Sequence, residues 1–220
     1  MDAICALEKP LGAAVRGYSA RATAIRDLSG GLESIENTGV ISARFIETTK
    51  QKTGLGSTVA IDLSVHGSST PVTILQRQGS GDNAPAIVGD ILLGAGDDVV
   101  DIRAGRIEGD IHFGAGSDRL LLSDATFNGV ANFGTGGGGL LRLSDGAAFT
   151  GAVIDTTQTL ALEVVDSALT LTSSAPLRIG ALAVTGDSTL AFSADLSSDL
   201  SAPRITAHNS AIIGAGSDLQ

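Results

Sequence analysis

Tryptophan is absent from this chain of 220 residues, and the aromatic side chains amount to six Phe and one Tyr. A compact globular core usually leans on aromatics, each of which buries a large area. Here the core has to be assembled from Ile, Leu, Val and Ala, which suit thin, regular layers. A single cysteine, Cys5, excludes an internal disulfide, and no His or Asn arrangement near it marks an activated thiol. Basic residues are outnumbered, 14 Lys and Arg against 24 Asp and Glu, for a net charge of −10. That charge repels phosphate backbones, so no nucleic-acid partner is expected. No run of about 18 apolar residues is present to cross a bilayer as a helix. The opening apolar stretch, Ala3–Leu7, is cut short by Glu8 and Lys9 and makes a poor secretory signal.

Glycine, in contrast, is abundant at 29 residues, and it recurs in register. Gly-Ala-Gly-Ser-Asp occurs at 114–118 and 214–218, with a near copy, Gly-Ala-Gly-Asp-Asp, at 94–98. The flanks repeat too: Ile87-Val-Gly-Asp-Ile-Leu-Leu aligns with Ile107-Glu-Gly-Asp-Ile-His-Phe. An eroded third copy starts at Phe127. Gly89, Gly109, Gly129 and Gly151 follow one another at nearly equal steps, the last slightly longer. The period is about 20 residues, and repeats of that length, with two short apolar runs between Gly turns, are the signature of stacked coils. Such short strands predict parallel rungs, each residue lying over its counterpart in the next period at about 4.8 Å.

The expected fold is all-β, a parallel β-helix with rungs of about 20 residues. Residues 1–20 read as an irregular N-terminal segment, broken by Pro10, Gly12 and Gly17. Residues 21–85 read as irregular rungs with loops, in which Thr23-Ala-Ile-Arg-Asp-Leu-Ser and Val59-Ala-Ile-Asp-Leu-Ser are loose copies. Residues 86–171 hold the regular repeats, and 172–220 hold less strict C-terminal rungs.

These residues resemble the passenger domains of bacterial autotransporters (type V secretion) over roughly residues 20–220. The resemblance rests on Asn37-Thr-Gly-Val-Ile-Ser-Ala, Ala60-Ile-Asp-Leu and Gly89-Asp-Ile-Leu-Leu-Gly-Ala-Gly-Asp-Asp. Phe-x-Gly starts at Phe127 and Phe149, and Gly186-Asp-Ser-Thr-Leu-Ala-Phe, complete it. It implies a right-handed β-helix carried by a C-terminal outer-membrane β-barrel to the cell surface or beyond, where it contacts host or matrix surfaces. On that reading, the chain is an excerpt of a longer protein, its signal peptide and barrel lying outside it.

Candidate sites are few. Gly94–Asp98 and Gly114–Asp118 also resemble the Gly-rich nonapeptide of calcium-binding RTX rolls, which places Asp98 and Asp118 at the liganding position. Stacked carboxylates and turn carbonyls are suitable hard-oxygen chemistry for Ca²⁺. Each period holds one such motif where an RTX coil holds two, and Gly138 replaces the third Asp. The favoured reading is that both aspartates close local Asx turns, with Ca²⁺ as the lesser alternative. Asp90 and Asp110 form a second column, read as a solvated face rather than a catalytic dyad. His66, His112 and His208 fall in unrelated segments without metal-ligand spacing. No catalytic or cofactor-binding residue emerges, and Gly134-Thr-Gly-Gly-Gly-Gly is a corner rather than a phosphate loop. The expected function is a non-enzymatic, surface-presented β-helix, the adhesive part of an autotransporter. The alternatives are a β-helix enzyme acting on polysaccharide and a cytosolic self-assembling filament.

Overall fold

The structure, a computed structural model, describes residues 2–6, 20–46, 56–193 and 203–220. They form strands, turns and loops, with no helix among them. The chain begins β1 (Asp2–Ala6), β2 (Ala20–Arg26), β3 (Ser34–Asn37), and then β4 (Val40–Ile46), β5 (Gly56–Asp62), β6 (Thr73–Gln76). It continues β7 (Ala86–Val88), β8 (Asp90–Leu92), β9 (Val99–Ile102), and β10 (Gly105–Glu108), β11 (Ile111–His112), β12 (Arg119–Ser123). From there each cycle has one long strand in place of the first two or omits the second. These are β13 (Ala125–Asn132) with β14 (Leu140–Ser144), β15 (Ala148–Ile154) with β16 (Ala161–Val165), and β17 (Ala168–Leu171) with β18 (Leu177–Thr185). The last are β19 (Thr189–Phe192), β20 (Ile205–Ile213) and β21 (Asp218–Leu219).

Among the described residues all the strand pairings are parallel, and they build two sheets, one of 13 strands and one of eight. The eight-stranded sheet runs β20-β18-β16-β14-β12-β9-β6-β3, so it takes one strand from every cycle. In the larger sheet β13 pairs along its first half with β10 and along its second with β11. Parallel partners need a crossover between them, and here the intervening part of each cycle supplies it.

Register follows the sequence period where the sequence is regular. Ile107 pairs with Ile87 and Phe127, Leu120 with Val100 and Leu141. Alternation decides what is buried, since period-two side chains face opposite sides of a strand. Ile102, Leu122, Leu143, Val164 and Val184 thus form one buried row across the smaller sheet. Ile87, Ile107, Phe127, Phe149, Leu169 and Leu190 form another across the larger. Burying each such side chain contributes about 1.5–3 kcal/mol. On the outer face Arg142 lies across from Glu163, 3.9 Å away.

Glycine allows the long strands β13 and β15 to close up at their midpoints. Gly151 has φ +152° and sits over Gly129, where a Cβ would run into the carbonyl oxygen beneath it. Only Gly meets both demands cheaply.

The first two cycles differ from the sequence expectation. Asp2–Ala6 is a strand paired with β4, where an irregular segment was expected; residues 7–19 lie outside the described residues, as do the side chains of β1, Cys5 included. The loose copies around Thr23 and Val59 do stack: Thr23 pairs with Val59 and Ile25 with Ile61. Partners in these cycles stand much further apart in sequence than one regular period, as with Val40 and Ala86.

Candidate functional site

Buried acids gather at the bend that leads into the smaller sheet. Gly94–Asp98 and Gly114–Asp118 make this bend in successive cycles, just before β9 and β12. Gly114 and Gly116 have φ of +89° and +134°, which turns the chain sharply enough to carry the final Asp inward. Asp98 is 0% exposed and Asp118 1%.

Neither side chain accepts the amide two positions on, as an Asx turn requires, although the Gly94 amide of its own turn also bears on the Asp98 carboxylate. Asp98 Oδ1 accepts the amide of Val72 at 2.7 Å, and Asp118 Oδ1 accepts the amide of Asp98 at 2.9 Å. Each carboxylate reaches back one cycle and satisfies an amide at the foot of the neighbouring strand. The Oδ2 atom of each is buried without a hydrogen-bond partner. Burial pushes both acids up, Asp118 to about 7, with the Asp98 charge adding to the effect. For Asp98 the Val72 amide, the Gly94 amide and the nearby His66 pull the other way.

His66, also buried, belongs to the same region. A Cβ on Gly94 would meet the His66 Cβ at 2.7 Å. Its Nε2 lies 2.9 Å from Asp27 Oδ2, and its Nδ1 has no partner. Asp27 also accepts the Ser29 amide at 2.8 Å, the Ser29 hydroxyl at 2.7 Å and the Leu32 amide at 3.0 Å. The Ser29 hydroxyl, with the amides and His66, holds this carboxyl well below the ordinary range.

Asp90 and Asp110, both half-buried, reach in the opposite direction. Asp90 Oδ1 accepts the Asp110 amide at 3.0 Å, and Asp110 Oδ1 accepts the Val130 amide at 2.8 Å. Asp97 does the same for the Ser117 amide at 2.8 Å. The exposed His112 lies on the outer face of β11, and exposed His208 pairs with Gln158 at 2.9 Å. Among the described residues no three His, Cys, Asp or Glu side chains come together as a metal-holding group.

Chemically, this is a set of acids bonded to backbone amides, those of neighbouring cycles for Asp90, Asp97, Asp98, Asp110 and Asp118 and those of its own loop for Asp27. Its Asp27–His66 half was not recognised in the sequence, nor was the buried amide pair in which Asn37 Nδ2 donates to Gln76 Oε1 at 2.8 Å. One signal was available: Asp27-Leu-Ser and Asp62-Leu-Ser are copies, and both Asp side chains accept the hydroxyl of the Ser two positions on.

Fold and site together define an all-β protein of stacked parallel strands whose interior acids bind backbone. Compared with known proteins, the chain matches no family, no curated protein and no solved structure.

Proposed function

We propose that the chain is a right-handed parallel β-helix that serves as the passenger part of an autotransporter, a surface-presented scaffold for adhesion rather than an enzyme. The observation that carries the architecture is the cyclic strand order, with register held at the sequence period from β7 to β13. Right-handedness follows from the strong preference of parallel crossovers for that hand. The adhesive, non-enzymatic reading draws on the sequence resemblance and on the engagement of Asp90, Asp98, Asp110 and Asp118 with backbone amides. In the full-length protein the partner is a C-terminal outer-membrane β-barrel, and the location is the cell surface or the medium.

The test is antibody labelling of intact cells that express the gene at its own locus. Surface labelling, removed by protease added outside, is the expected result. Labelling that requires lysis defeats the proposal and favours a cytosolic filament. Cleavage of any member of an acidic-glycan panel by the purified protein replaces the scaffold with an enzyme.

A further inference from the structure

Two buried carboxylates in neighbouring cycles, each with one oxygen bonded to an amide and one left over, present an imbalance of donors and acceptors. Asp98 Oδ2 and Asp118 Oδ2 are both acceptors when ionised, and neither has a donor in hydrogen-bonding geometry; the Gly94 amide bears on the Asp98 carboxylate, and Asp118 has no such second amide. Water does not reach these side chains, so solvent cannot make good the deficit. A buried acceptor left without a partner is costly, and two like charges in the same low-dielectric interior add repulsion. One hydrogen relieves the strain: placed on one Oδ2, it cancels a buried charge and ends the repulsion between the two acids.

We infer that Asp98 and Asp118 hold a single proton between them, which makes the joint between β9 and β12 sensitive to pH. This goes beyond the proposed surface role and does not depend on it. The charged and titratable groups bearing on the pair come from its own loop and from the preceding cycle. Asp97 is repulsive towards both acids, and His66 favours ionisation of Asp98. Asp27 stands beyond His66, on its Nε2 side. Arg119, next to Asp118, is exposed on the outer face, and the following cycle brings Gly138 and Gly139 to this bend instead of an acid. The Leu140 amide of that cycle donates to the Asp118 main-chain oxygen at 2.8 Å, not to its carboxylate. The asymmetry from His66 assigns the proton to Asp118.

The direction of the pH effect follows from linkage. The folded protein keeps a proton that an unfolded carboxyl releases above about pH 4. Stability is therefore fully present below that value and declines as pH rises towards about 7, where the Asp118 carboxyl ionises. One proton corresponds to about a tenfold loss in the folding equilibrium constant per pH unit within that window.

The experiment compares the full chain with Asp118→Asn and Asp98→Asn between pH 5 and pH 9, by thermal midpoint and by infrared spectroscopy. Asn keeps the Oδ1 acceptor for the amide while removing the charge, so both variants are expected to fold. The expected result is a protonated-carboxyl band at pH 5 that disappears by pH 9 and is missing from Asp118→Asn. The decline in midpoint across this range should flatten in that variant, which should melt above the parent at pH 8. Absence of that band from the folded parent at pH 5, or a decline unchanged in both variants, overturns the inference. A rise in the parent's midpoint with millimolar Ca²⁺ at pH 8, lost in Asp118→Asn, overturns it in favour of a shared cation.

Discussion

Phe127 lies over Phe149 with ring centroids 4.6 Å apart and planes inclined by 17°, although a full cycle of chain separates them. Phe113 and Phe133 stack in the same way at 4.8 Å across a slightly shorter cycle. Core stacking is therefore preserved when a cycle lengthens, and the added residues go to the bends. Truncating Phe127 to Ala should cost about 3–5 kcal/mol in chemical unfolding. A cycle with Phe149→Ala should show coupling of about 0.5–1.5 kcal/mol. Strict additivity of the two losses would mean that the rings do not support one another.

Two glycines with similar backbone signs should respond very differently to a methyl group. Gly146 has φ +78° with open space around it, so Gly146→Ala should cost about 1–2 kcal/mol, the left-handed penalty alone. Gly151→Ala adds a collision with the Gly129 carbonyl and should cost about 3 kcal/mol or more. Equal losses in urea titrations would contradict the close approach of Gly151 to Gly129.

Asp110 offers a test of the inter-cycle bonds away from the buried pair. Asp110→Ala leaves the Val130 amide without its acceptor and should destabilise by about 1–3 kcal/mol. Asp110→Asn retains a side-chain oxygen and should cost less than half as much. Hydrogen exchange at the Val130 amide is the matching local readout: faster in the Ala variant, little changed in the Asn one. An Asn variant as unstable as the Ala variant would assign the effect to charge instead of to this bond.

The acid side of the stability profile should belong to Asp27. Its carboxyl is depressed, chiefly by the Ser29 hydroxyl, so its contribution is present above the ordinary carboxyl range and is lost as pH falls below it. Asp27→Asn should lower the midpoint at neutral pH and make the fall below about pH 4 shallower. A variant that keeps the full acid slope would show that other acids control it.

The regular half of this fold was legible because its pairing distance and its sequence period coincide. Ile87, Ile107 and Phe127 announce their own stacking, as do Gly89, Gly109 and Gly129. The first two cycles conceal theirs, since β2 pairs with β5 and β4 with β7 across longer, unequal stretches of chain, with no repeated spacing between. The polar interior was less legible still. The repeats mark Asp98 and Asp118, yet the local motif points to Asx turns and not to the Val72 and Asp98 amides that they accept. A motif shows where an acid occurs, and the amide it serves lies a full cycle away. His66 looked isolated because Asp27 stands 39 residues before it.

The opposing reach of the aspartates bears on how an array of this kind can lengthen. Asp118 serves the amide of Asp98, its own counterpart one unit earlier, and Asp90 serves that of Asp110, its counterpart one unit later. A unit whose side chains bind the same positions in its neighbour is compatible with an unaltered copy of itself. Tandem duplication of one such unit here would give both copies working bonds at once, without a compensating substitution. The stretch that carries Asp27 and His66 lacks this property, because its partners differ from each other in kind, and a duplicate would meet the wrong one.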